Sequence, residues 1–526
     1  MQTRAEHTSE PSGLPTPARQ VVVARRGGAP IRWALAGVGY ALLVLAWVFA
    51  SPPGAAPDEP AHTVRAAGAG TGMWQGVPAA PYRRGRDGTQ AQADLLNQQA
   101  QEFPIPAALA TGDPCFVGRT EASAACLNSA GPPPMGTVHA MTYETTAPPV
   151  AYTVAGIAMQ LPGAGLPAAY LGRLALALVC SLLLAGAAWA AGSRGSLWPL
   201  AGVALAASPM VLFLSASLGT AGVASAAAVC FATALLAFWF GSPRPGLATL
   251  TAVSGAILAL SSAGGALAAA ALVVGVLPLI QLRRMADPGV MLASAVVTGA
   301  IVAGVALALS DRPLPAGHTD LLAGASAVGQ AVPSLLQQAV GVFGRSDVPL
   351  PLGGYALWGG VVAVGLSAAF VLGRWRDRLA LALVAAAAAA AAVGAQAFVL
   401  APVGWDLRGS FVLPILVALP IVAAFVLHVA RVHPRADVLL VALAVVGVQL
   451  LAVGVNARRY AVGTLGPPNF VDSAQWVPPG GWMPWLVVAA AGGLAIVLAL
   501  VPLTQREHDE DAWGPLVVVD PISVSR

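Results

Sequence analysis

Long apolar runs, broken by glycine, proline and arginine-bearing connections, follow one another along the chain from residue 33 onward. A helix needs roughly 20 apolar residues to cross a hydrocarbon core of about 30 Å. About twelve runs approach that length: 33–50, 166–192, 198–216, 221–241, 247–262, 264–281, 290–310, 355–373, 379–402, 411–430, 437–455 and 485–503. The pair within 247–281 needs a break, because about 35 helical residues at 1.5 Å each would extend roughly 52 Å. "SSAGG" at 261–265 predicts a hairpin there between two short crossings. By contrast, "PPVAYTVAGIAMQLPG" at 148–163 offers only about 14 apolar residues between prolines and predicts a re-entrant or interfacial helix. The expected fold is an all-α polytopic integral membrane protein with about twelve transmembrane helices.

Arginine placement orients these runs. With the N-terminus inside, Arg194, Arg244, Arg283, Arg284, Arg374, Arg376, Arg378, Arg431 and Arg435 all fall in short cytoplasmic connections, as the positive-inside bias requires. Counting 148–163 as a crossing would turn every one of them outward. The expected protein is therefore multi-pass in the cell membrane with both termini cytoplasmic. A polar tail over 1–30 precedes a membrane domain over 31–503, and a second tail covers 504–526. The polar stretch before the first run is long for the n-region of a cleaved signal, so that run is expected to stay attached. One large extracytoplasmic loop, 51–165, and two smaller ones, 311–354 and 456–484, gather on the outer side. Chemistry is expected there.

Composition agrees with this class and excludes others. Hydrophobic residues make up 57% of the chain and charged residues only 10%, with a mean hydropathy of +0.74, far outside soluble usage. The formal net charge of +4 comes from arginines spread along the chain, with no lysine and no cluster that suggests a nucleic-acid surface. No Walker sequence, CxxC or HExxH pattern occurs, so the sequence assigns no metal ligands. Cys115 and Cys126 lie in the large outer loop, where the compartment permits a disulfide, and "CFVGRTEASAAC" predicts one. Cys180 and Cys230 lie within apolar runs and read as packing residues.

The candidate chemistry begins in "SPPGAAPDEPAHTVRA", 51–66, just beyond the first run. With Asp58 as the cap and Pro60 in the first turn, a juxtamembrane helix starts here, and Glu59 and His62 fall about one turn apart on adjacent faces. A carboxylate at this boundary can act as a base or bind a cation. The competing reading is a plain Asp cap, with Glu59 favoured by the helix dipole. Arg173, about seven residues into its run, is costly in lipid unless it snorkels to the interface or pairs.

Residues 33 to about 500 resemble actinobacterial polytopic membrane proteins of unknown function, related to the GT-C glycosyltransferases. The resemblance is carried by "PPGAAPDEPAHTVRA", by "TAPPVAYTVAGI" at 146–157 before the Arg-bearing "LGRLALALVCSLLLAG", and by "SPMVLFLSAS" at 208–217. "GVFGRSDVPLP" at 341–351 and "RGSFVLP" at 408–414 complete it. It implies a GT-C-like fold with a large first extracytoplasmic loop. It also implies transfer of a sugar from a polyprenyl-phosphate donor to an envelope glycan or glycolipid at the outer face. By position the base is Asp58, with Glu59 as the alternative and His62 beside them. The departing phosphate needs positive charge, which only arginine supplies in this chain; Arg65, Arg345 and Arg408 are the loop candidates, and Arg173 is retained for the donor phosphate. The resemblance also implies a divalent cation, Mg or Mn, although "LGTAGVAS" at 218–225 lacks the second carboxylate of many relatives. Ser410 and Phe411 stand where relatives often carry an Arg-Tyr pair, leaving Arg408 as the nearby cation. The expected partners are the lipid-linked donor, the acceptor and membrane lipids, with no nucleic acid. The alternatives are an envelope lipid or polysaccharide transporter or flippase, which the scarcity of ionisable residues in the runs disfavours, and a non-catalytic assembly protein.

Overall fold

The computed structural model describes residues 29–79, 89–110, 112–129, 134–161, 167–240, 245–280, 287–310, 320–434 and 436–501. The tails expected at 1–30 and 504–526, apart from Ala29 and Pro30, lie outside these residues, as do Arg244, Arg283, Arg284 and Arg435. The described chain is mostly helical. Its first half holds α1 (Ala29–Ala50), α2 (Glu59–Gly70), α3 (Gln90–Gln99), α4 (Val150–Met159), α5 (Ala168–Gly192), α6 (Leu197–Ala206), α7 (Pro209–Ser215) and α8 (Thr220–Phe240). Then come α9 (Pro245–Ser261), α10 (Ala263–Val276), α11 (Pro288–Ser310), α12 (Leu321–Gly341), α13 (Leu352–Leu372) and α14 (Trp375–Ala395). The chain continues through α15 (Gly409–Leu416), α16 (Ala418–Val429), α17 (Ala436–Val462) and α18 (Trp482–Leu500).

Among the described residues each of the twelve apolar runs is largely helical, but they do not all have the length of a crossing. Among the described residues nine helices are long and apolar enough to span, with α15 and α16 counted as one, or ten if α6 and α7 form one broken span bent by 66°. At 17 and 14 residues, α9 and α10 fall short. They part at the expected place, where the Ser262 side chain accepts from the Gly265 amide and restarts the helix. At ten residues α4 is too short to cross.

The bundle is built around α8, whose Ala, Gly and Ser positions let neighbours approach closely. Its apolar window is 94% buried, against 11% for α13 at the periphery. Peripheral helices keep leucines and valines exposed, as a lipid-facing surface does. The α6–α7 break is sealed from elsewhere in the chain. Gln449 Nε2 of α17 donates to the Ala207 carbonyl at 2.8 Å, and Ser208 Oγ donates to Ala339 of α12 at 2.9 Å.

Two features of the loop regions depart from the sequence expectation. Within 51–165 lies a three-stranded antiparallel sheet, β1 (Val77–Pro78), β2 (Gln101–Pro106) and β3 (Thr137–Thr142), in that order. β2 carries Pro104 and Pro106, which cannot donate to a ladder. Val77 and Pro78 pair only with Glu102 and Gln101, so both prolines lie past the end of β1, while the Ala107 amide continues the bonding toward β3 through Gly136. Within 311–354, expected to be loop, α12 is started by Asp320, whose carboxylate accepts from the Leu322 and Ala323 amides. Gly324, Val328, Leu335 and Ala339 form its buried face. A short hairpin, β4 (Val342–Phe343) and β5 (Val348–Pro349), follows and carries Arg345 at its turn.

Candidate functional site

The "PDEPAHTVR" helix has two chemically different faces. Glu59, Thr63 and Ala66 point into the protein; Asp58, His62 and Arg65, spaced i, i+4 and i+7, share another face. On the inner face Glu59 meets Arg173 of α5 in a bidentate pair, with Nε to Oε1 and Nη2 to Oε2 both at 2.6 Å. Each side chain is 1% exposed. The Gly54, Ala56 and Leu218 amides also donate to the Glu59 carboxylate. The remaining Arg173 donors go to the carbonyls of Val48, Ser51 and Pro52. All five guanidinium N–H groups are therefore used, and the carboxylate receives five donors. Burial pushes the Glu59 carboxyl up, but the Arg173 charge and these hydrogen bonds outweigh it and hold it below its ordinary range. Two sequence expectations are corrected here. Arg173 neither snorkels nor has a donor left for a phosphate, and Glu59 has no lone pair left to act as a base. Together they tie the end of α1, the start of α2 and the α7–α8 connection into one unit.

Asp58 stands apart from this pair. It occupies the cap position of α2, yet its side chain makes no capping hydrogen bond. Its backbone is left-handed, φ 54° and ψ 12°, a conformation that Asp tolerates better than most side chains. The plain-cap reading of this residue is thereby corrected. The carboxylate turns instead toward Tyr143, whose hydroxyl donates to Oδ1 at 2.9 Å, and toward Arg408, whose Nη1 lies 3.7 Å from Oδ2. Side-chain exposures of 43% for Asp58 and 54% for Arg408 leave this cluster open to solvent. Burial, then the Asp58 charge, push the Tyr143 phenol well up, so it stays a donor. Arg345 is close enough to act on Tyr143 electrostatically and pairs with Asp113 at 2.7 Å.

Arg408 is held by its backbone neighbours. After α14 the helix widens into a π-turn over Gln396–Leu400, a departure that often accompanies a functional position. It places Gln396 to accept from the Leu407 amide at 2.9 Å, while Gln338 of α12 accepts from Gly409 at 2.8 Å. Thr89 and Gln92 at the start of α3 bond the Val403 and Gly404 carbonyls, joining the sheet-bearing loop to the Arg408 segment.

His62 sits one turn along α2 from Asp58. Its Nδ1 is 2.9 Å from the Tyr152 hydroxyl and 3.8 Å from Glu144 Oε2. Tyr152 comes from α4, which lies so close to α2 that a Cβ on Gly156 would collide with the Ala66 carbonyl. Arg65 is stacked 5.2 Å from the Phe103 ring centroid and 6.0 Å from that of Tyr152. The sequence candidates thus divide three ways: Asp58, Arg408 and Arg345 near Tyr143; His62 and Arg65 on Tyr152; Glu59 and Arg173 in the interior. Tyr143 and Tyr152 were not singled out from the sequence. Tyr152 stood inside "PPVAYTVAGI"; for Tyr143 no local signal existed.

Cys115 and Cys126 are joined as a disulfide, and Cys180 and Cys230 are buried free thiols. Among the described residues no three His, Cys, Asp or Glu side chains converge. Asp58 has a guanidinium rather than a second carboxylate beside it, so its surroundings do not fit a divalent cation.

No curated protein matches this chain. A family model described as "Predicted membrane protein (DUF2142)" matches residues 41–419, from within α1 to the start of α16 and including Asp58, Tyr143, Tyr152, Arg345 and Arg408. The chain, a multi-pass membrane protein by its helices, belongs to that family.

Proposed function

We propose that the protein is a GT-C-type glycosyltransferase that moves a sugar from a polyprenyl-phosphate donor to an envelope glycan or glycolipid at the outer face of the membrane. The observation that carries this reading is Asp58: a carboxylate at a helix start that does not cap the helix, half-exposed, and flanked by a phenol and a guanidinium. Asp58 accepts the acceptor hydroxyl proton as that oxygen bonds to the anomeric carbon. The anomeric C–O bond breaks with its electron pair going to the phosphate. Arg408 and Arg345 are the cations near enough to Asp58 and Tyr143 to stabilise that charge. In this reading α9 and α10 both cross, α6 and α7 form one broken crossing, and the count is twelve, with α4 interfacial. Both termini are then cytoplasmic, and the sheet, α2 and the Arg408 segment face outward.

The test is lipid-linked sugar turnover by purified protein in liposomes, comparing the natural chain with Asp58→Asn. Turnover by the natural chain and its loss in the variant are expected. Equal turnover in both would remove Asp58 as base, and no turnover of any polyprenyl-phosphate sugar by the natural chain would favour an assembly role.

A further inference from the structure

Arg65 is 3% exposed, and its Nε and Nη1 have no hydrogen-bond partner among the described residues. Its two aromatic neighbours offer only ring faces. A guanidinium does not shed its charge in a protein, so burying it without an acceptor is costly. It lines a cavity of about 410 Å³, with Trp74, Gln98, Gln99 and Thr145 among the other walls. Leu307, in the last turns of α11, closes one side. Amides and a hydroxyl offer both donors and acceptors without charge, as the hydroxyls of a sugar ring require, and an indole offers a face for stacking.

We propose that this cavity binds an anionic saccharide headgroup, with a phosphate on Arg65 and the sugar hydroxyls on the amide wall. Arg65 lies about 10 Å along the helix axis from Asp58, at 1.5 Å per residue. Tyr152 and His62 fill the interval, so the cavity is a second site that anchors a headgroup beside the Asp58 cluster. The phosphate comes either from a lipid-linked sugar or from a free sugar phosphate. The choice of a saccharide rests in part on the transfer reading, while the need for an anion rests on Arg65 alone.

Calorimetric titration of the full-length protein in detergent with glucose 1-phosphate, glucose and inorganic phosphate tests the site. Saturable binding of glucose 1-phosphate is expected, with glucose and phosphate each at least about tenfold weaker for lack of half the contacts. Arg65→Gln should abolish binding of both phosphate-bearing probes. Gln98→Ala, on an exposed helix position away from the aromatic sandwich, should weaken glucose 1-phosphate several-fold and leave inorganic phosphate unchanged; it serves even if Arg65→Gln fails to fold. A polyprenyl-phosphate glucose that binds more tightly than glucose 1-phosphate identifies the lipid-linked source, and equal affinity identifies the free one. No saturable binding of either, or affinity unaffected by Gln98→Ala, overturns the site. Asp58→Asn separates the two readings: headgroup binding retained without transfer by any form overturns the transfer reading alone, and transfer without headgroup binding overturns the cavity alone.

Discussion

Adjacent carboxylates in "PDEP" have opposite environments, and substitution should separate them. Asp58 makes no cap, and Asn accepts its left-handed backbone, so Asp58→Asn should leave thermal unfolding within about 0.5 kcal/mol of the natural chain. If Asp58 is the base, transfer in liposomes falls about 10²- to 10⁴-fold in the same variant. Glu59→Gln should do the reverse at the level of folding, costing about 3–5 kcal/mol in detergent unfolding because it leaves Arg173 buried and uncompensated. Adding Arg173→Met should cost less than the sum of the two single changes. The pair also fixes an acid response. Glu59 titrates below its ordinary value of 4.5 in the folded protein, so the unfolded chain takes up the proton first. Its contribution is whole above about that pH and is lost as pH falls through the folded value, and an unfolding series from pH 6 to pH 3 should show this slope reduced in Glu59→Gln.

At the scale of elements, α2 and α4 meet through glycine. Alanine is worth about 1 kcal/mol more than glycine in an open helix position. At Gly156 that gain is reversed, because the new Cβ would press on the Ala66 backbone carbonyl. Gly156→Ala should destabilise by about 1–3 kcal/mol, whereas Gly359→Ala in α13, with nothing within 4 Å, should be neutral or mildly stabilising in the same assay. Apolar length made the long helices other than α12 legible in the sequence, including the α9–α10 break at Ser262. It missed α12, whose apolar positions form a one-sided stripe of ordinary composition, and it missed the sheet, whose central strand contains two prolines that only a partly paired edge tolerates. At the site, helix spacing in the sequence put Glu59 and His62 about one turn apart on adjacent faces beside Asp58, but Tyr143 reaches Asp58 from 85 residues away. Contacts of that separation leave no local pattern to read.

For the whole molecule, the outward placement of the sheet and of Arg408 is tested by labelling. In a Cys180→Ala, Cys230→Ala background, Thr71→Cys, at the exposed end of α2, should react with a membrane-impermeant maleimide added outside. Arg376→Cys, exposed at the start of α14, should react only after the membrane is opened. The opposite pattern would put the Asp58 cluster on the cytoplasmic side and exclude an outer-leaflet acceptor.

The break between α6 and α7 has a consequence for how the chain is made. Its freed carbonyl at Ala207 is satisfied by Gln449, and Ser208 reaches Ala339, so the second broken segment to leave the ribosome depends on residues synthesised roughly 130 to 240 positions later. If α6 and α7 form one broken crossing, Ala207 presents an unpaired carbonyl to a medium without water until α17 arrives, a state costing several kcal/mol. With that crossing, insertion of the protein cannot be completed helix by helix in order of synthesis. The α6–α7 region must wait, shielded by the insertion machinery or by transient water, and Gln449→Leu should slow acquisition of protease resistance by newly made chains more than it lowers the stability of those already assembled.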